Sequence, residues 1–170
     1  MGQIKSIPMT IAQCSENMAN GMERELLQDI LELFTSRGFT YLVSATNPDR
    51  IYCYVKKSRE TLIINKKTYV DRLADNGFSV QIRITSPKSF ETLNALSDNV
   101  RGCIVNGRDC KSPHCCNCGH EYRFVYGDKP YRKCHMLCDN FMLHHLSPSD
   151  KDSVLSLIEN EIAELSRKRK

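Results

Sequence analysis

Apolar residues recur every three or four positions between residues 22 and 34, which predicts an amphipathic helix. The stripe consists of Met22, Leu26, Ile30, Leu33 and Phe34. Gly38 follows, and glycine is the usual residue for the left-handed turn that ends a helix. The first 20 residues are weakly patterned, so we expect them to begin extended, with the helix starting between Ser15 and Gly21.

Two further helices are predicted where a serine is followed by a proline. Serine is a favoured cap and proline suits the first helical turn. One start is at Ser86, and the other is at Ser147, where Asp150 is placed to reciprocate the cap. The apolar stripes are Phe90, Leu93 and Leu96 in the first, and Val154, Leu157, Ile158, Ile162 and Leu165 in the second.

Between the helices the pattern changes to alternating or β-branched runs, which predict strands. The runs cover residues 39–45, 51–55, 61–64, 78–84, 101–105 and 141–145. Strands and helices in this order are typical of an α+β domain, with a mostly antiparallel sheet and helices packed on one side. We expect residues 1–170 to form one such domain, with a small cysteine-rich metal-binding insertion at about 103–138 and a basic tail at 167–170.

The cysteines are concentrated in one part of the chain. Seven of the nine fall within residues 103–138. An odd number, and N-terminal residues without the apolar stretch of a secretory signal, favour a reducing, cytoplasmic location over a disulfide framework. No apolar run is long enough for a transmembrane segment. Outside the dense part of the cluster, we expect Cys14, Cys53 and Cys103 to be buried thiols.

Within the cluster, the spacing is typical of a metal site. Cys115 and Cys118 form a C-x2-C motif followed by a glycine, as in a zinc knuckle, whose tight turn points amide groups at the two thiolates. Runs at 121–126 and 130–134 then flank Gly127 and Asp128, which predicts a β-hairpin. Knuckle, hairpin and a second cysteine pair together resemble a zinc ribbon over residues 110–138, although the second pair is C-x3-C instead of C-x2-C.

Tetrahedral zinc needs four donors, and the cluster offers more than four. Our first ligand set is Cys115, Cys118, Cys134 and Cys138. The competing donors are Cys110, Cys116, His114, His120 and His135. Because adjacent residues point in different directions in most backbones, Cys115 and Cys116 are not both expected to be ligands.

The same cysteines support an iron–sulfur alternative. Cys110, Cys115 and Cys118 have the C-x4-C-x2-C spacing of plant-type [2Fe–2S] ferredoxins, with Cys134 or Cys138 as a distal fourth ligand. Such a cluster would make the protein an electron carrier or redox sensor. A redox-active C-x-x-C pair is disfavoured, because strand-like residues follow the motif where a helix would be needed to lower the thiol pKa.

Charge adds little to this picture. The formal net charge is +4, and the four basic residues at 167–170 account for all of it. Net charge is therefore a weak argument for a polyanionic partner. Arg123, Arg132 and Lys133 are candidates for nucleic-acid or anion contact, and they can also offset the negative charge of metal-bound thiolates. No catalytic motif stands out, so we predict no catalytic residues.

Two sequence runs carry a family resemblance. They are S-P-H-C-C-N-C-G at residues 112–119 and Y-R-K-C-H-M-L-C-D-N-F at 131–141. In a short α+β chain they are similar to uncharacterised small cysteine-rich proteins of anaerobic Gram-positive bacteria, a resemblance that implies no activity. We expect a structural zinc site in a binding module for nucleic acid or protein, with an iron–sulfur redox protein as the alternative.

Overall fold

The structure is a computed structural model that describes most of the chain. The described residues are 6–19, 23–47, 50–56, 59–65, 79–84, 86–107, 109, 121–134 and 141–167. The strands are β1 (Ser6–Ile7), β2 (Thr40–Ser44), β3 (Arg50–Lys56), β4 (Arg59–Asn65), β5 (Ser79–Ile82), β6 (Glu121–Tyr126), β7 (Lys129–Cys134) and β8 (Phe141–Leu143). The α-helices are α1 (Ile11–Met18), α2 (Glu23–Ser36), α3 (Pro87–Glu91), α4 (Asp98–Val105) and α5 (Lys151–Arg167).

Six of the strands form one antiparallel sheet in the order β1-β2-β3-β4-β5-β8. Strands β6 and β7 form a separate hairpin. One buried cluster joins the inward face of the sheet to the apolar stripes of the helices. The predicted α+β class, with an antiparallel sheet and helices on one side, is confirmed. Within the described ranges, no helix is both long and apolar enough to cross a bilayer.

The N-terminal prediction is wrong in one respect. We expected one helix starting between Ser15 and Gly21, but the structure has two: α1 begins at Ile11 and α2 begins at Glu23. Its start is a capping box: the Thr10 hydroxyl accepts the Gln13 amide at 3.3 Å, and the Gln13 side chain accepts the Thr10 amide at 2.9 Å. The T-x-x-Q pattern carries this signal, but a helix of eight residues has too short an apolar stripe to stand out by periodicity.

The strand predicted at residues 101–105 is also wrong, because those residues belong to α4. The Ser97 hydroxyl caps this helix by accepting the Val100 amide at 3.4 Å. Val100 and Ile104, one helical turn apart, are both fully buried. A short apolar run has no periodicity that distinguishes a strand from a buried helical segment, so tertiary packing decides.

The predicted helix stop and hairpin turn are confirmed. Gly38 has φ +75°, and the Phe39 amide donates to the Phe34 carbonyl at 2.9 Å, which closes the end of α2. In the β6-β7 turn, Gly127 and Asp128 have φ of +52° and +56°, as a two-residue turn of this type requires.

A buried carboxylate attaches α3 to α5. Glu161 is fully buried and accepts the Ser86 amide at 3.0 and 3.2 Å and the Ser89 hydroxyl at 2.9 Å. The carboxyl oxygens therefore lie at the amino-terminal end of α3, where amide groups are otherwise unpaired. This contact fixes the position of Phe90, the α3 residue that faces the hairpin.

Asp150 forms a second buried hub, at the start of α5. Its carboxylate accepts hydrogen bonds from the Ser97 hydroxyl at 2.6 Å, the Asn99 amide at 3.1 Å and the Ser147 amide at 2.9 Å. Burial alone would raise the pKa of this carboxyl, but these donors outweigh it and hold the pKa below its usual value. The predicted capping box at Ser147 is thus confirmed, and it also joins α4 to α5.

We predict that Asp150→Asn lowers the free energy of unfolding by about 1–2 kcal/mol at neutral pH, because it weakens a charge-assisted cap. A depressed folded-state pKa contributes stability above the unfolded pKa and loses it as pH falls through the folded value. The difference from wild type should therefore shrink below about pH 4 in urea denaturation curves. Asp152→Asn, on the exposed side of the same helical turn, is the control and should change little.

Candidate functional site

The β6-β7 hairpin is attached to the domain by a column of aromatic rings. Phe124 stacks on Phe90 of α3 with ring centroids 4.6 Å apart and planes 11° apart. Tyr131 of β7 also stacks with Phe124, with ring centroids 5.3 Å apart and planes 9° apart. Stacked and edge-to-face rings at these separations contribute beyond their buried area. The hairpin therefore has a fixed position on the helical layer.

Phe141, the first residue of β8, extends this column into the sheet. Its ring lies 5.0 Å from Tyr122 and 6.1 Å from Phe90. Gly107 approaches the same ring so closely that a Cβ there would lie 3.2 Å from it and 3.1 Å from the Ile104 carbonyl. A larger residue at position 107 would push the chain away from Phe141.

Lys133 of β7 binds residues that follow α4. Its ammonium is 2.7 Å from the Asp109 carboxylate and 2.8 Å from the Gly107 carbonyl, and the residue is only 4% exposed. Asp109 also forms a β-bridge with Lys133. The hydrogen bond from Lys133 lowers the pKa of the Asp109 carboxyl. A buried ammonium needs such partners, so this contact fixes the chain at residue 109.

These contacts bring together the four residues that border segments 110–120 and 135–140. Asp109 and Cys134 lie at the same end of the hairpin, because Asp109 bridges the neighbour of Cys134. Glu121 pairs directly with Cys134 in the antiparallel register. Phe141 packs on Tyr122, the next residue along β6. The two cysteine-rich segments therefore start and finish at one place in the fold.

The candidate ligands divide into one placed residue and eight outside the described residues. Cys134 is the last residue of β7. Outside the described residues lie Cys110, His114, Cys115, Cys116, Cys118, His120, His135 and Cys138. Among the residues that the structure describes, no group of three or more His, Cys, Asp or Glu is arranged to hold a metal ion. The ligand set stays a prediction.

The three basic residues predicted to contact anions lie in different environments. Arg123 and Arg132 are paired in register on the exposed face of the hairpin. Lys133 is buried and its ammonium is bound inside the protein. Arg132 and Lys133 are adjacent in β7, so their side chains lie on opposite faces of the hairpin. The two arginines are therefore accessible at the surface, and the lysine is not.

No known family model matches this chain. No curated protein and no solved structure matches it either. The resemblance to cysteine-rich proteins of anaerobic Gram-positive bacteria, and the resemblance of residues 110–138 to a zinc ribbon, stay predictions.

Three cysteines precede segments 110–120 and 135–140 in the chain. Cys14 and Cys53 are buried in the core, as predicted, and Cys103 is half-buried on α4. Burial raises the pKa of Cys14 to about 11, and burial together with the nearby Cys14 raises that of Cys53 further. These two thiols are protonated at neutral pH and are poor nucleophiles.

Sequence reasoning missed the residues that hold the site in place. Tyr122, Phe124 and Tyr126 alternate along β6, and this alternation is the signal that could have predicted a buried hairpin face. The pairing of Asp109 with Lys133 spans 24 positions and has no local signal.

Proposed function

We propose that this protein is a cytoplasmic metal-binding module in which a structural zinc ion joins segments 110–120 and 135–140 at the base of the hairpin. The observation that carries the proposal is the convergence of Asp109, Glu121, Cys134 and Phe141. A metal at this point would join the two segments, and the binding free energy of a structural metal contributes directly to folding.

Chain reach supports the proposal. Cys110 is one residue from Asp109, Cys118 is three from Glu121, and Cys138 is three from Phe141. Three residues span at most about 10 Å, so a metal site at the base of the hairpin is within reach of these thiols. Zinc–sulfur bonds of about 2.3 Å require four donors within such a small volume.

The same reasoning leaves Cys110 and Cys115 as the two candidates for the remaining ligand. Cys115 has the knuckle spacing with Cys118, whereas Cys110 lies directly beside an anchored residue. Serine substitution at each position separates them. The true ligand loses metal on substitution, and the other position retains it.

A zinc ion here would have a structural role, with three or four thiolates and no open position for substrate. The module would then present the exposed face of the hairpin to a partner. Arg123 and Arg132 lie there beside Val125, which is 66% exposed. A basic strand pair next to an exposed apolar residue is the kind of surface that binds acidic or polyanionic partners.

The test is elemental analysis together with a visible spectrum, on protein purified without oxygen. We expect colourless protein with one equivalent of zinc. Brown protein with iron and labile sulfide would replace this proposal with the iron–sulfur alternative, whose C-x4-C-x2-C spacing lies in the same segment. Neither metal at stoichiometry would exclude both.

A further inference from the structure

In the described part of the chain, the helices pack on one face of the sheet, and the opposite face is partly exposed. Core residues such as Val43, Ile51 and Val80 point toward the helices, and the residues between them point the other way. We define the open face by the described residues Leu42, Arg50, Tyr52, Tyr54, Gln81, Arg83 and Met142. These seven residues are partly exposed, and none of them belongs to the buried cluster or packs against it. Ser44 and Ser79, at the Arg50 end of the same face, are buried.

Two tyrosines lie side by side at the centre of the open face. Tyr52 and Tyr54 are alternate residues of β3, with ring centroids 6.4 Å apart and planes 30° apart. Leu42 pairs with Tyr52 in the register, and Gln81 pairs with Met142. The face thus combines aromatic rings, flat apolar contact area and an amide able to hydrogen-bond to a base edge.

Basic groups flank the tyrosines. The Arg50 guanidinium lies 3.5 Å from the Tyr52 hydroxyl. Arg83 follows β5 between the buried Ile82 and Ile84, so alternation places it on the open face. None of the open-face residues defined above is acidic. On β4, Glu60 is in register with Tyr54 and is the acidic position nearest to the rings along the ladder.

We propose that the open face binds single-stranded nucleic acid, with successive bases stacked on Tyr52 and Tyr54 and the backbone near Arg50 and Arg83. Every base has a π-face, so neighbouring aromatic rings on a sheet form a platform that tolerates different sequences. The arginines supply charge complementary to phosphate. This proposal does not rest on the metal site, because none of these residues lies in segments 110–120 or 135–140.

The charge and the rings together favour this occupant over a protein partner. In register, Tyr52 lies between Leu42 and Ile63, and the Arg50 guanidinium lies beside the Tyr52 hydroxyl. A polyanionic backbone complements this charge, whereas an apolar protein surface would not. Duplex nucleic acid hides its bases in the stack, so a flat aromatic face has little to contact in it. Unpaired bases fit both the rings and the flanking charge.

The experiment is a fluorescence anisotropy titration with a labelled oligouridylate, an oligothymidylate of equal length and a duplex. We expect both single strands to bind more tightly than the duplex, with affinity falling as salt rises. Tyr52→Ala and Tyr54→Ala should each weaken binding about tenfold, and Tyr52→Phe should retain it. Arg50→Ala should weaken binding, whereas Arg37→Ala, exposed on the helical layer, should not.

A second measurement uses the wild-type protein, so it does not depend on whether a variant folds. The protein has no tryptophan and seven tyrosines, so its intrinsic fluorescence comes from tyrosine and should be quenched when bases stack. The absence of binding and quenching would overturn the proposal. So would equal affinity for duplex, or wild-type affinity in folded Tyr52→Ala and Tyr54→Ala. A homodimer that Tyr52→Ala dissociates would assign the face to a second copy of the chain instead.

Discussion

Replacing Cys118 with serine is expected to remove the bound metal and to lower the melting temperature by about 10 °C. A ligand that binds only the folded site stabilises by about 4 kcal/mol when its free concentration is a thousand times its Kd. In a domain of this size each kcal/mol shifts the melting temperature by about 2–4 °C. Calorimetry and zinc analysis on the same preparations measure both effects.

Cys103→Ser is the matched control for this experiment. Cys103 is also a free thiol, but it is half-buried on α4 and lies outside segments 110–120 and 135–140. It should retain one equivalent of zinc and lose little stability. If Cys118→Ser kept its metal and its melting temperature, Cys118 would not be a ligand.

Truncation of Phe141 to alanine is expected to lower the free energy of unfolding by about 3–5 kcal/mol and to speed zinc release. The ring is 3% exposed and contacts Tyr122, Phe90 and Gly107. Its removal leaves a cavity at the point where the hairpin meets the sheet, and truncation of a buried phenylalanine has a cost of this size. Urea denaturation and transfer of zinc to a chromogenic chelator provide the two measurements.

Phe34→Ala is the control that distinguishes a local effect on zinc release from a general loss of stability. Phe34 is fully buried in α2 within the main core, so its loss should destabilise the fold by a similar amount. We expect zinc release under native conditions to be faster in Phe141→Ala than in Phe34→Ala. Equal release rates would mean that the aromatic column does not hold the metal-binding segments in place.

Local chemistry made several parts of the fold predictable. The helix α2 with its buried Leu26, Ile30 and Phe34, the Gly38 stop and the cap at Ser147 are set by interactions within a few residues, and the structure confirms them. The hairpin also follows from its own turn residues, because Gly127 and Asp128 adopt the left-handed conformation that this turn requires.

Short segments were less predictable for a physical reason. A run such as residues 101–105 carries too few apolar positions to distinguish a period of 3.6 from a period of 2. It becomes helical because Ser97 caps it and because Val100 and Ile104 both face the core. Thr10 shows the opposite case, in which a capping box forms a helix that periodicity did not indicate.

The sequence by itself determined most of the longer elements, the α+β class and the clustering of seven cysteines within residues 103–138. Only the tertiary structure decided which distant residues meet. It paired β5 with β8, buried Lys133 against Asp109, packed Phe141 on Tyr122 and set Tyr52 beside Tyr54 on the face opposite the core. Local patterns record preferences within a turn or a strand, whereas contacts across tens of residues depend on how whole apolar faces pack.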